Sequence, residues 1–380
     1  MIYLDNSATT RPSAGVVAAI GRALSEGWYN PSSMYAPSVG VEKQMNECRE
    51  RIKGAIHGGD AQVIFTSGGT EANNLAINGT VGVARGAVRV AVSDFEHPSV
   101  LATADLLTKQ GCEVIHLNLD ERGQIDYEQL EKELKQGLTL VSCMQVNNEV
   151  GAKQDIKRLS DTVRRLCPGC RLHVDGVQGF LREDIDFRLI DMYTCSSHKI
   201  HGPKGVGALV VKKGLRLKAA HTGGSQENAI RSGTENTPGI LGFSEAIAEL
   251  TALEGRRERL MALKLKLAAA LKAAVPEVMF AGPLPDEGAC HILNGIFPGV
   301  RGETLLHALE EKGVLVSTGS ACSAKSRAVS HTLTALHIPA QMAECALRFS
   351  LCPYNTEEEI AFAAAAVGEC YDILKQFRRR

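Results

Sequence analysis

The sequence predicts an α/β domain built on a mostly parallel sheet, followed by a smaller α+β unit. Three observations carry this. Short apolar runs rich in β-branched residues alternate with amphipathic helical patterns through the first two thirds of the chain, as βαβ units do. After Thr237 the alternation gives way to a long stretch rich in Leu, Ala, Lys, Arg and Glu. Beyond that stretch, Gly282-Pro283-Leu284-Pro285 is a plain breaker cluster that opens a second unit.

Taken in order, residues 63–66, 88–92, 113–117, 138–146, 172–174, 192–195 and 205–211 read as buried strands. An amphipathic segment over 38–57 places Val41, Met45, Cys48 and Ile52 on one face; another over 155–166 places Ile156, Leu159, Val163 and Leu166. A single helix is expected from Gly239 to about Val275, ended by Pro276. Then come a strand at 291–297, a helix at 303–312, strands at 314–316 and 346–350, and a helix at 356–377. The expected division is a large domain over 14–252 and a small one over 253–380 that also takes in 1–13, with the boundary inside the long helix.

The chain has 380 residues, 44% hydrophobic and 22% charged, which suits an ordinary globular protein of about two domains. Its 42 Lys plus Arg against 43 Asp plus Glu leave a net charge of −1. That balance offers no footprint for nucleic acid or an anionic membrane. Arg378-Arg379-Arg380 is read as complementing a helix C-terminus. The N-terminus has no signal-peptide pattern, and no run is apolar enough to span a bilayer. Eleven cysteines without a framework spacing suit a reduced, cytoplasmic protein.

Several residues could carry chemistry. In Thr66-Ser67-Gly68-Gly69-Thr70-Glu71 a strand enters a Gly-rich turn with Thr70 placed as a helix N-cap; this is either an anion cradle or simply a capped helix. Asp175 ends a strand, where ligands of open α/β sheets sit but where solvated acids are also common. Lys199 follows a strand within Ser196-Ser197-His198-Lys199-Ile200-His201-Gly202 and could form a Schiff base or be an ordinary surface lysine. His198 and His201 lack a third ligand nearby, so no metal is expected. Cys322 lies among Gly319-Ser320-Ala321 and Ser323-Ala324, a context for an accessible thiol. Cys48, Cys143, Cys195 and Cys370 fall on apolar faces and read as inert. Cys167-Pro168-Gly169-Cys170 follows a helix and reads as structural or incidental. A phosphate cup, a strand-end acid, a lysine and a late arginine together suit pyridoxal 5′-phosphate and an amino-acid substrate.

Across the whole chain these motifs stand in order: Tyr3-Leu4-Asp5-Asn6 with Thr9-Thr10, the Ser67–Glu71 turn, Glu96-His97-Pro98, Asn147-Asn148-Glu149-Val150-Gly151, Asp175 with Gln178, the Ser196–Lys199 run, Arg231-Ser232-Gly233-Thr234-Glu235-Asn236, Gly319–Cys322 and Leu347-Arg348-Phe349-Ser350. In this the chain resembles the cysteine desulfurases of the NifS/IscS type, in the class V aminotransferase family. The resemblance implies the type I fold of pyridoxal-phosphate enzymes, with a mostly parallel seven-stranded sheet in the large domain and the Cys322 loop in the small one. It assigns Lys199 the covalent bond to the cofactor and Asp175 the pyridine nitrogen. Gln178 takes the phenolic oxygen and His97 stacks on the ring. Gly69, Thr70, Ser196 and His198 hold the phosphate, with Thr234 reaching in from the other subunit of a homodimer. Asn148, which also lies at the cofactor, and Arg348 orient the substrate carboxylate.

Cys322 takes the sulfur of L-cysteine as a persulfide, leaving L-alanine, and passes it to an acceptor or scaffold protein for iron–sulfur cluster assembly or thiolation. Lys199, His97 and Cys322 are the catalytic set it implies. Three features depart from the usual pattern: Ser7, the basic Lys325 and Arg327 after Cys322, and Cys352. A class V aminotransferase, a selenocysteine lyase and a non-catalytic sulfur carrier of the same fold are the alternatives.

Overall fold

The computed structural model describes residues 1–319 and 330–377. Cys322, Lys325, Arg327 and Arg378–Arg380 lie outside the described residues. A short strand β1 (Ile2–Tyr3) precedes helices α1 (Ala14–Ser25) and α2 (Ala36–Ala55). Strands and helices then alternate: β2 (Gln62–Thr66), α3 (Gly69–Val81), β3 (Arg89–Ser93), α4 (Pro98–Lys109), β4 (Glu113–Leu117), α5 (Tyr127–Lys135), β5 (Leu140–Met144), α6 (Ile156–Leu166), β6 (Arg171–Asp175), β7 (Met192–Ser196) and β8 (Gly207–Val211).

The strands β2 to β8 form one seven-stranded sheet in the order β2-β8-β7-β6-β5-β3-β4. Pairs among β3 to β7 are parallel, and β8 lies antiparallel to both β2 and β7. The reversal has a simple cause: residues 197–206 are too few for the helical crossover that parallel pairing demands. All strands except β8 therefore point their C-terminal ends to one edge, the edge where α/β sheets bind ligands. Helices cover both faces. One core packs α2, α6 and their neighbours on one side, and a second packs α3 and α4 on the other.

The helices start where local chemistry favours it. Asp155 caps α6 by accepting from the Arg158 N–H, and Ile156, Leu159 and Val163 are buried. In α2, Pro37 stands in the first turn and Val41, Met45, Cys48 and Ile52 form the buried stripe.

The single helix expected over 239–275 is instead two, α7 (Thr237–Ala252) and α8 (Arg256–Ala274). Gly255 breaks it by taking φ +64°, a conformation that costs other residues about 1 kcal/mol or more. The composition stays helix-forming across the break, which hid it. The C-terminal unit adds β9 (Met279–Phe280), β10 (Ile292–Ile296), α9 (Gly302–Glu311), β11 (Val314–Leu315), α10 (His331–Ala335), α11 (Ala340–Ala343), β12 (Ala346–Ser350) and α12 (Glu357–Gln376). Its sheet runs β12-β10-β9, and β1 pairs with β11. Leu4 is buried in the same core as α8 and α12. Thr356 and Glu359 form a reciprocal capping box on α12. Among the described residues no helix is long and apolar enough to cross a membrane.

Candidate active site

The C-terminal edge of the large sheet gathers the candidates. Asp175 ends β6, Ser196 ends β7, Gly69 starts α3 directly after β2, and His97 and Asn148 follow β3 and β5. Thr70 is the second residue of α3 and exposed; the N-cap is Gly68, and no side chain caps the helix. This corrects the expected cap at Thr70, because the two glycines let the helix begin two residues earlier. The result is a helix start whose N–H groups stay available to an anion. A Cβ on Gly69 would come within 2.7 Å of Val177 Cγ2, so only glycine lets the turn sit this close to β6. Ser196 Oγ beside it is buried and has no hydrogen-bond partner.

Asp175 is buried and rigidly held. Its Oδ2 accepts from Asn73 Nδ2 at 2.7 Å, and its Oδ1 accepts from the Val177 N–H at 2.9 Å. Asn73 also donates to Ser99 Oγ at 2.9 Å, and Ser99 Oγ lies 2.8 Å from His97 Nδ1. Because His97 Nδ1 already accepts the Ser99 backbone N–H at 3.1 Å, that nitrogen is unprotonated and the neutral ring carries its proton on Nε2. Burial lowers the His97 pKa and reinforces the neutral form, against the pull of Asp175. One chain of hydrogen bonds thus orients both groups.

The N-terminal segment crosses the other candidates. Lys199 Nζ donates to the carbonyls of Ser7 at 2.6 Å and Ala8 at 2.8 Å. Gln178 Nε2 donates to the same Ser7 carbonyl at 3.0 Å, while its Oε1 lies 3.3 Å from His291 Nε2. His198 Nδ1 is 3.2 Å from Thr9 Oγ1. Desolvation, with Arg348 and Arg182 adding to it, brings the Lys199 amine down to about 7. An amine poised there is partly neutral, hence nucleophilic, at ordinary pH. His198 is pushed down to about 4, chiefly by burial and then by Lys199, so its ring is neutral and its Nε2 can serve as a donor. Glu96, buried against Ser93 and the Met144 N–H, is raised to about 8 by burial.

Arg348, on β12, is 2% exposed. Nη2 binds Asp5 Oδ1 at 2.7 Å, and Nη1 donates to the carbonyls of Asn148 at 2.9 Å and Gly319 at 3.2 Å. Asn148 therefore meets Arg348 through its backbone. Ser330 Oγ donates to Glu149 Oε2 at 2.6 Å. Gly319 and Ser330, the residues flanking 320–329, are thus both tied beside Asn148 and Glu149. Thr234 is exposed on its own chain's surface.

Sequence reasoning missed Asn73, Ser99, Arg182 and His291, and named Glu96 in a motif without giving it a role. Asn73 stood four residues from Gly69, one helical turn into α3, and that spacing was the available signal. Cys48, Cys143, Cys195 and Cys370 are all buried; burial raises their thiol pKa values, Cys48 to about 12. Cys167 and Cys170 are both free thiols just after α6. Among the described residues no three His, Cys, Asp or Glu side chains form a cluster that could hold a metal ion.

The Aminotransferase class-V pattern matches residues 2–362. The chain belongs to that family. It is 36% identical over 387 residues to the cysteine desulfurase IscS of Clostridium botulinum, covering 99% of this chain and 95% of the relative. It is 37% identical over 366 residues to the protein of the same name from Dictyoglomus turgidum, covering 95% and 92%. Among solved structures, a NifS-like protein superposes with a TM-score of 0.91 at 31% identity, covering 98% of this chain and 100% of that one. SspA, solved in complex with cysteine, superposes at 0.81 with 28% identity, covering 94% and 100%. The seven-stranded sheet with its covering helices is the fold of these NifS-like structures.

Proposed function

We propose that this chain is a cysteine desulfurase that converts L-cysteine to L-alanine and leaves the sulfur as a persulfide on Cys322. The observation that carries the reading is the Lys199 amine, brought to about 7 at the same sheet edge as the fixed Asp175 carboxylate and the uncapped α3. The residues fit pyridoxal 5′-phosphate. The orphaned Ser196 Oγ, the free α3 N–H groups, Thr70 and His198 supply donors for a phosphate. Asp175 supplies a carboxylate for the ring nitrogen, and Gln178 an amide for the phenolic oxygen. When bound, the cofactor supplies an electron sink for negative charge at the substrate Cα.

The chain's own groups do the rest. Lys199 offers a nucleophilic amine and moves protons at that nitrogen. Neutral His97, kept in one tautomer by Ser99, would pack against the face of the bound cofactor's ring. Arg348 binds the substrate carboxylate, and Asn148 completes that end. The Cys322 thiolate takes the sulfur: one S–S bond forms, the Cβ–S bond breaks, and the two thiol-bearing reactants become alanine and a persulfide with all atoms conserved. Thr234, facing outward, is suited to complete the phosphate site of a second copy in a homodimer. A sulfur-accepting protein then receives the persulfide sulfur.

Purified protein given cysteine and a thiol reductant should release alanine and sulfide in equal amounts. A 2-oxo acid product without sulfide would favour an aminotransferase instead, and turnover confined to selenocysteine would favour a selenocysteine lyase.

A further inference from the structure

Arg182 is an interior cation that the reaction as described leaves unused. It is 7% exposed, and its Nη1 has no hydrogen-bond partner. Among the described residues it forms no ion pair with a carboxylate. Its Nη2 donates to the backbone carbonyl of Lys199. The backbone at Arg182 is in turn pinned from the C-terminal unit: Arg256 Nε donates to the Leu181 carbonyl at 2.9 Å, and Cys290 Sγ lies 3.9 Å from the Arg182 carbonyl. Leu181 holds φ +60°, a strained conformation for a branched side chain. A desolvated guanidinium without a counter-ion costs stability, and a strained neighbour adds to the cost.

We propose, on the reading that Lys199 is the reactive amine, that Arg182 is its positioning residue: one arm fixes the Lys199 carbonyl while the buried charge stays in the amine's own surroundings. The carbonyl contact holds the lysine backbone in the turn after β7, so the side chain leaves from a fixed base. Burial and then Arg348 lower the amine, and the Arg182 charge adds to them by disfavouring a second cation close by, against the pull of Asp5 and Asp175. Because Leu181 and Arg182 are held by Arg256 and Cys290, the placement of Lys199 is also tied to the C-terminal unit.

The test titrates Lys199 in full-length protein freed of bound small molecules. Trace acylation with acetic anhydride over a pH series, read at each lysine by mass spectrometry, gives its midpoint. Lys264, buried with Nζ on the Ala289 carbonyl, reports the fold by staying protected. In Arg182→Met the Lys199 midpoint should rise by about one pH unit, while Arg182→Lys should stay near wild type because the charge remains. A midpoint unchanged in Arg182→Met, with Lys264 protected, overturns the proposal. Should Arg182→Met expose Lys264, Arg182→Gln is read the same way; exposure in both variants assigns Arg182 to the fold alone and also overturns it. Borohydride reduction of wild type with pyridoxal phosphate decides the underlying reading separately, since fixation at another lysine removes Lys199 from the chemistry without altering the acylation result.

Discussion

Arg348 and Asp5 face each other at 2.7 Å across the junction between β12 and the N-terminal segment. The same guanidinium holds the carbonyls of Asn148 and Gly319, and its Nε is buried without a partner. The proposed carboxylate clamp is therefore preassembled, with Asp5 occupying one arm. In the proposed role, an incoming carboxylate would take the place of Asp5 or use the unpartnered Nε side.

Arg348→Lys should lower kcat/KM for cysteine by about 100-fold or more, because an ammonium cannot span two carbonyls and a carboxylate at once. Cofactor absorbance should be retained, since Arg348 touches none of the residues proposed to hold the phosphate. Turnover near wild type would remove Arg348 from the substrate site.

Lys199 makes stability depend on pH in the cofactor-free protein. Its folded pKa of about 7 lies below the model-peptide value of 10.5, so between those values the unfolded chain binds more protons and stability rises with pH. The penalty is complete below about 7 and relieved toward 10.5. Lys199→Met should exceed wild type in stability at pH 6.5, by roughly 1–3 kcal/mol, and the gap should narrow at pH 9.5. Urea midpoints at the two pH values check this, and a constant gap counts against a buried, depressed amine.

Glu96 runs the other way. Its folded pKa of about 8 exceeds the usual 4.5, so the folded state holds a proton that the unfolded state has lost across that window. Its contribution is full below 4.5 and lost as pH rises through 8. Glu96→Gln, which imitates the protonated acid, should raise the pH 6 midpoint a little and the pH 9 midpoint more, because the proton-linked loss grows between the two. Equal destabilisation at both values would show that Glu96 acts through its charge.

The strands of the large sheet were legible because each is a short β-branched run ending near a breaker, and the boundaries differ by only a residue or two from those observed. What stayed hidden was contact across long stretches of chain. Nothing local marks the Ser7 and Ala8 carbonyls as partners of Lys199, 192 and 191 residues away. Arg182 stands beside Glu183 and Asp184 in the sequence, where nothing local marks it as buried, yet its side chain turns inward. The motifs pointed to cofactor chemistry, but the hydrogen bonds from Asn73 through Ser99 to His97 needed the packing of α3 against α4 to become visible.

Ala229 offers a test of backbone strain away from the site. Glu227, Asn228 and Ala229 hold φ +46°, +57° and +60° in succession, a left-handed run that suits glycine far better than alanine. Ala229 is exposed, so a change there disturbs no core. Ala229→Gly should stabilise the protein by about 1 kcal/mol despite the added freedom of the unfolded chain. A lower urea midpoint at unchanged slope would mean the turn carries no such strain.

Cys322 separates a desulfurase from an aminotransferase, and the residues on either side of 320–329 are bound beside the proposed substrate-binding residues. Gly319 is on Arg348, and Ser330 is on Glu149. Of the eleven cysteines, those on the apolar faces are held protonated by burial, which makes them poor sulfur acceptors. Cys322→Ser should keep cofactor absorbance and still respond spectrally to added cysteine, because Lys199, Asp175 and Arg348 are untouched. Sulfide and alanine should nonetheless fall to near the background, since an alkoxide formed from serine is not available at neutral pH to take sulfur. Persulfide-selective alkylation followed by peptide mapping of wild type should place the extra sulfur on the Cys322 peptide. Sulfur found on Cys167 or Cys170, or a fully active serine variant, would move the transfer step to another thiol and leave Cys322 without the role proposed for it.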